Sequence, residues 1–229
     1  MPQLALRKTG EKMQKNISNS VIRRLPRYYR FLGELLRQGT EKISSRELSE
    51  RMRLTASQIR QDLNCFGGFG QQGYGYNVAE LRQEIARILG LDDKHKVILI
   101  GAGNLGRALT VHIDFTKYGY ELAGIFDSNL TMAGLEIGGI KIMHTSRLAE
   151  FCEKNKPDMA VLCIPRTAAK ETVQTLMDLG VKAFWNYSHY DINYDFPDAL
   201  VENVHLADSL IALSYNAKRK GSAVETEEE

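Results

Sequence analysis

In residues 20–90 the apolar positions recur every three or four places. From Ser20, residues Val21, Ile22, Leu25, Tyr28, Tyr29, Leu32, Leu35 and Leu36 share one helical face that ends at Gln38-Gly39. Pro26 interrupts the pattern, because proline lacks an amide hydrogen and its ring clashes with the preceding turn. A short helical turn is therefore expected, then a helix beginning near Pro26. Two capping boxes follow, Ser44-Ser45-Arg46-Glu47 and Thr55-Ala56-Ser57-Gln58. The first opens a helix with Leu48 and Met52 inward, the second a helix with Ile59 and Leu63 inward. Only Arg53-Leu54 separates them, so the pair reads as a helix-turn-helix. On its second helix Ser57, Gln58, Arg60, Gln61 and Asn64 face outward, hydrogen-bonding types suited to reading base edges. The run from Phe66 to Tyr76, aromatics separated by glycines with Gln72 and Tyr74 near its tip, predicts a small hairpin or wing able to enter a minor groove. Val78, Leu81, Ile85, Ile88 and Leu89 form a further amphipathic helix, and Leu91-Asp92-Asp93-Lys94-His95 is a polar joint.

Beyond the joint the period changes. Lys96–Ile100, Glu121–Phe126, Gly139–Met143, Met159–Ile164 and Val181–Trp185 read as strands, separated by helices over 104–117, 146–155 and 167–179. Alternating strand and helix predict a mostly parallel sheet covered on both faces. An amphipathic stretch at 206–217 (Leu206, Leu210, Leu213, Tyr215) has no strand after it. The expected organisation is a flexible arm at 1–17, a DNA-binding domain at 18–90, a nucleotide-binding domain at 91–205, a last helix at 206–217, and a disordered, low-complexity tail at 218–229.

Charge sharpens this division. The whole chain carries +2, yet residues 1–75 hold 14 Lys+Arg against 6 Asp+Glu, while residues 76–229 hold 16 against 22. A basic first third suits a polyanionic partner, although basic residues also solvate ordinary surfaces. The three cysteines, Cys65, Cys152 and Cys163, are too dispersed for a disulfide framework, and the five histidines show no H-E-x-x-H, so no metal site is expected. No apolar run is long enough to span a membrane and the first twenty residues lack a signal-peptide core, so a cytoplasmic location is expected.

The sharpest motif is Gly101-Ala102-Gly103-Asn104-Leu105-Gly106, directly after a strand and opening a helix. Gly101 permits the tight turn, Gly103 the approach of a pyrophosphate to the backbone, and Gly106 close packing of helix on sheet. The pyrophosphate would meet the unpaired amides of the helix N-terminus. Asp127, 21 residues past Gly106, can accept from both adenosine ribose hydroxyls and would repel a 2′-phosphate, so NADH and NAD⁺ are expected over their phosphorylated forms. Pro165 and Arg166, after the fourth strand, should border the far half of the dinucleotide. Asn186, after the fifth, either offers its amide toward the nicotinamide or forms a turn. No Tyr-x-x-x-Lys pair and no His–carboxylate cluster marks a catalytic site, so no catalytic residue is assigned and the chain is not expected to be an enzyme. The alternative is an NAD-dependent oxidoreductase with a helical oligomerisation domain, which would not require a DNA-reading unit.

Four segments coincide in order: Arg24-Leu25-Pro26-x-Tyr28-x-Arg30, Gln58-x-Arg60-x-Asp62-Leu63, Phe66-Gly67 to Gly75-Tyr76, and Gly101 to Gly106. Over roughly 18–217 the chain resembles the Rex family of bacterial redox-sensing repressors. The resemblance implies an α/β architecture: an N-terminal winged helix-turn-helix joined to a Rossmann domain, with a C-terminal helix exchanged between the subunits of a homodimer. It implies palindromic operator DNA as partner and release from it by NADH, with NAD⁺ competing. By position it implies Arg60 and Gln61 in the major groove, Gln72 and Tyr74 at the wing tip, and Arg30 between the domains. Two positions depart from some members, His112 in place of a tyrosine and His205 in place of an acidic residue, and with them the polar contacts that those members use to sense the cofactor.

Overall fold

The computed structural model describes residues 17–67 and 75–225, with side chains described as far as Lys218. The expected arm lies almost wholly outside the described residues, as does most of the expected wing. The chain divides into two units between Asp93 and Lys94, within the polar joint.

In the first unit α1 (Asn19–Ile22) is the single turn before Pro26. Helix α2 (Leu25–Arg37) takes Pro26 into its first turn, where the missing N–H breaks no intrahelical bond. Next come β1 (Lys42–Ile43), α3 (Ser45–Met52), α4 (Ala56–Asn64), β2 (Tyr76–Asn77) and α5 (Val78–Ile88). Leu25, Tyr28, Leu32 and Leu35 of α2, Leu48 and Met52 of α3, Ile59 and Leu63 of α4, and Leu81 and Ile85 of α5 are buried as this unit's core. At roughly 1.5–3 kcal/mol per fully buried large apolar side chain, this set supplies the main drive to fold. Strand β1 was not foreseen, since two residues are too short to show alternation. It exists because Ile43 pairs antiparallel with Tyr76. Gly75 adopts φ +73, and a Cβ there would lie 2.7 Å from the Ile43 carbonyl oxygen, so the close return of this strand requires glycine.

The first capping box is complete: Ser44 Oγ accepts from the Glu47 amide at 3.1 Å and Glu47 accepts from the Ser44 amide at 2.8 Å. The second is only half formed. Thr55 Oγ1 accepts from the Gln58 amide at 3.1 Å, but the Gln58 side chain turns away to Asp62.

Asp62 is wholly buried in α4. Its Oδ2 accepts from Arg24 Nε at 2.6 Å and from the Tyr28 hydroxyl at 2.9 Å. Its Oδ1 accepts from Arg24 Nη2 at 2.7 Å and from Gln58 Nε2 at 2.8 Å. Burial by itself would raise the carboxyl pKa, but the hydrogen bonds from Arg24, Gln58 and Tyr28 and the Arg24 charge outweigh it and hold Asp62 below its usual range.

The second unit contains β3 (His95–Ile100), α6 (Asn104–His112), β4 (Tyr120–Asp127), β5 (Glu136–Ile137), β6 (Ile140–His144), α7 (Leu148–Asn155), β7 (Met159–Leu162), α8 (Arg166–Asp178), β8 (Ala183–Asn186), α9 (Ile192–Asp195), β9 (Leu200–Asn203) and α10 (Leu206–Glu225). The strands are ordered β5-β6-β4-β3-β7-β8-β9. All pairs are parallel except β5 with β6. Successive side chains of β3 enter different cores: Val97 and Leu99 join Ile125, Ile137 and Ile142, while Ile98 and Ile100 join Phe126, Leu162, Val173 and Leu176. That alternation is why the segment reads as an unbroken apolar run.

Three expectations are corrected here. The helix expected over 104–117 ends at His112, because Ile113 is extended, and Thr116–Tyr118 forms a separate 3-10 turn. Strand β9 and helix α9 were not foreseen: β9 is an edge strand with Leu200 exposed, so it lacks the run of buried residues that marks the central strands. The tail expected to be disordered from Lys218 instead continues α10 to Glu225. Its low apolar content disfavours packing, but Lys, Arg and Ala are good helix formers.

Asp62→Ala leaves Arg24 and Tyr28 without their acceptor and is expected to cost the N-terminal unit about 3 kcal/mol at neutral pH. Because the folded-state pKa is depressed, the contribution of Asp62 is complete above the unfolded value of about 3.9 and is lost as pH falls through the folded one. Thermal unfolding followed by circular dichroism should show a larger penalty at about pH 7 than at about pH 3; equal penalties would remove the carboxylate charge from the account.

Candidate functional site: a nucleotide cradle and a DNA-reading helix

The strand order reverses beside β3, where β4 leaves to one side and β7 lies on the other. A crevice therefore opens at the carboxyl ends of these strands. Gly101 adopts φ +100, and a Cβ there would lie 2.3 Å from the Cys163 carbonyl oxygen, so the turn after β3 abuts the segment after β7. A Cβ on Gly106 would lie 1.9 Å from the Gly101 carbonyl oxygen. The protein itself thus explains both glycines. Gly103 is different: its φ of −67 suits any residue, and a Cβ there would meet nothing within 4 Å. Its open side-chain space, at the N-cap of α6 with no side-chain cap, fits a ligand brought onto the backbone. Ala102 is buried, and Asn104 and Leu105 supply the first amides of α6, which have no intrahelical acceptors.

Asp127 closes the other wall at the end of β4. Its Oδ2 accepts from the Ala102 amide at 2.7 Å and its Oδ1 from the Asn129 amide at 2.8 Å. The carboxylate ties β4 to the glycine turn, and each oxygen retains a lone pair for a ribose hydroxyl. Across the crevice Pro165 is the N-cap of α8, again without a side-chain cap, and Pro165 and Arg166 are both exposed. The Cys163 thiol is pushed up to about 12 by burial, which makes it a packing group rather than a nucleophile.

Of the two roles left open for Asn186, a nicotinamide contact or a turn, its hydrogen bonds form the turn. Asn186 is buried, its Nδ2 donates to the Tyr190 carbonyl at 2.8 Å and to Asn203 Oδ1 at 2.7 Å, and its Oδ1 accepts from the Ser188 amide and hydroxyl. The carboxamide joins β8 to β9 and builds the turn after β8. That turn brings His189, at φ +58, against His205. Their Nδ1 atoms are 2.8 Å apart, within hydrogen-bonding distance, and their rings are stacked with centroids 5.0 Å apart. The part played by His189 was not legible without β9, which carries His205 to it. His112, at the end of α6, is exposed and distinct from this pair.

On α4, Ser57, Arg60, Gln61 and Asn64 are exposed, whereas Gln58 is half-buried and held by Asp62. Arg60 Nη1 donates to Ser45 Oγ at 3.1 Å, at the first turn of α3, a weak resting place for a cation beside the positive end of a helix. Arg30 is exposed on α2. Gln72 and Tyr74 lie outside the described residues.

Fold and site together define a helix-turn-helix unit joined to a Rossmann-type nucleotide-binding unit. Residues 16–64 match the family model described as "Putative DNA-binding protein N-terminus", and residues 92–190 match that described as "CoA binding domain". The chain is 53% identical over 199 residues to a protein of Caldanaerobacter subterraneus subsp. tengcongensis, 87% of this chain and 88% of that one, and 48% identical over 201 residues to one of Clostridium botulinum, 88% and 95%; both are named "Redox-sensing transcriptional repressor Rex". Among solved structures, RSP in complex with β-NAD⁺ and operator DNA is 48% identical with a TM-score of 0.81, covering 93% of this chain and 98% of that one. RSP in complex with β-NADH is 46% identical with a TM-score of 0.84, covering 93% and 99%. This chain belongs to the Rex family.

Gly103→Val is expected to leave the melting temperature of the second unit unchanged while weakening NADH at least about tenfold, whereas Gly106→Ala, which drives a methyl into backbone, should lower the melting temperature. Calorimetric titration with parallel melts checks both. Unchanged NADH affinity in Gly103→Val would remove that glycine from the cradle.

Proposed function

We propose that this chain is a redox-sensing transcriptional repressor that binds palindromic operator DNA as a cytoplasmic homodimer and is released by NADH when the NADH/NAD⁺ ratio rises. The observation that carries this reading is the open backbone at Gly103, facing a carboxylate at Asp127, in the same chain as a helix-turn-helix. The name of the chain's Rex relatives and the operator and cofactor complexes of RSP support it. NADH and NAD⁺ are held by the backbone of Gly101, Ala102, Gly103, Asn104, Leu105 and Gly106, with the pyrophosphate at the start of α6 and the adenosine ribose on Asp127. Asp127 also disfavours ligands with a phosphate on that ribose, coenzyme A included. Pro165 and Arg166 border the nicotinamide half. The bound cofactor supplies a ring that is neutral when reduced and cationic when oxidised; an apolar surrounding favours the reduced form.

Homodimerisation is supported by α10. Leu206, Leu210, Ile211, Leu213 and Tyr215 are each more than 60% exposed within the chain, an apolar helix that its own subunit does not cover. Exchanged between subunits, it is buried against the partner, and His205 at its base, with His112 and Arg30, forms the allosteric set. Ser57, Gln58, Arg60, Gln61 and Asn64, with Gln72 and Tyr74, meet the operator. Because half-sites are spaced by the DNA helical repeat, a dimer with two arrangements seats both recognition helices in only one of them. A preference of NADH for the other of about 100-fold, about 2.7 kcal/mol, makes the switch, and DNA then weakens NADH by the same factor.

The test is a gel shift of a palindromic operator duplex at low salt, titrated with NADH at fixed NAD⁺. Retardation that NADH abolishes is expected; no retardation, or retardation insensitive to NADH, overturns the repressor reading. Leu210→Glu together with Leu213→Glu should convert a dimer to a monomer by light scattering and abolish operator binding, and a double variant that stays dimeric would take α10 out of the interface.

A further inference from the structure

The half-formed capping box at the start of α4 leaves a question of orientation. Gln58 has the backbone position of a capping-box glutamine, yet its carboxamide points to a buried aspartate four residues on. A glutamine amide has two ends of similar shape and opposite hydrogen-bonding character, and on an ordinary surface it presents either. Here one end is assigned. Asp62 only accepts, since each of its oxygens already takes a hydrogen bond from Arg24, and it therefore holds the nitrogen end of Gln58 at 2.8 Å. The reversed amide would set Oε1 against the carboxylate. Gln58 is left with Oε1 as acceptor and one remaining N–H as donor, and it is the third residue of the helix whose N-terminal residues reach base edges in this motif.

We propose that Asp62 is a positioning residue for base readout, which acts through Gln58 and commits that side chain to adenine. Adenine presents N6–H as donor and N7 as acceptor in the major groove, the complement of the fixed amide. Guanine presents two acceptors, O6 and N7, and would set O6 against Oε1. Asp62 does not touch DNA, being wholly buried. The inference rests on the reading of α4 as the operator-binding helix.

The experiment selects bound duplexes from a library of palindromes randomised in each half-site, with the full-length chain at fixed salt, and sequences them. The wild type should choose adenine at one position of each half-site. Gln58→Ala should lose that preference by about 5- to 100-fold and keep the preferences elsewhere. Gln58→Glu, which presents acceptors only and is repelled by Asp62, should move the choice at that position to cytosine. Asp62→Asn permits the amide to turn over and should flatten the discrimination of adenine from guanine there alone, whereas a purely structural loss lowers affinity for all sequences alike. Should Asp62→Asn not fold, the two Gln58 variants, at a half-buried position, still decide whether Gln58 reads that base, and a preference unchanged in them overturns the inference. Unchanged preference at every position in Gln58→Ala, or a folded Asp62→Asn that still prefers adenine there, overturns the inference while the repressor reading stands. A wild type that binds no duplex at low salt overturns both.

Discussion

A carboxylate withdrawn from water, Asp62, sets the geometry of the DNA-binding unit. Burying an ionised carboxyl costs several kcal/mol and is tolerated only when its lone pairs are met. Four donors meet them, two from Arg24, one from Tyr28 and one from Gln58. Arg24 is the N-cap of α2 and Tyr28 lies in its first turns, whereas Gln58 belongs to α4 together with Asp62 itself. Helix α4 therefore reaches its seat only in the one position where Arg24 spans both oxygens, and Leu25, Ile59 and Leu63 are buried in the same unit. Apolar surfaces alone would allow α4 to slide or rotate by small amounts at little cost. A bidentate ion pair does not, because its geometry is directional.

The nucleotide-binding unit depends on a close approach of a different kind. Two backbone contacts, Gly101 against the Cys163 carbonyl and Gly106 against the Gly101 carbonyl, draw α6 and the segment after β7 together at the point where the sheet changes direction. Asp127 then ties β4 to the same turn through the Ala102 amide. Three strands thus deliver their ends to one small region, and the backbone that remains uncovered there is that of Gly103 and the first turn of α6. The candidate binding surface is made of amide groups rather than side chains, a composition that suits a charged phosphate and demands little of residue identity beyond glycine.

The two units are connected in function by free energy. A cofactor can shift a DNA-binding equilibrium only as far as it prefers one conformation of the protein over another. In the proposed dimer, the apolar face of α10 that its own chain leaves bare is the surface that would meet the partner. The root of α10, where His205 meets His189 at the ends of β9 and β8, joins this helix to the sheet that carries the cradle.

Much of this was determined by the sequence alone. Helical periodicity, the Pro26 break, the Ser44 capping box, the buried β3 run and Gly101 to Gly106 followed by Asp127 each carry a local physical signature, so the two units and the cradle were legible from residue order. Other features depend on neighbours distant in the chain. β1 and β9 form because of the strands beside them, and two or four residues show no period of their own. Asn186 was equally compatible with a ligand contact or a turn until β9 placed Asn203 against it. Gln58 read as an outward base-reading residue and as half of a capping box, and only the fold, which buries Asp62 and bonds it to Arg24 and Tyr28, decided where its amide points. Sequence determines patterns that a single element can satisfy by itself; the orientation of a polar group is decided by which partner the fold brings within hydrogen-bonding distance, because the cost of leaving a buried carboxylate unmet exceeds any local preference of the side chains around it.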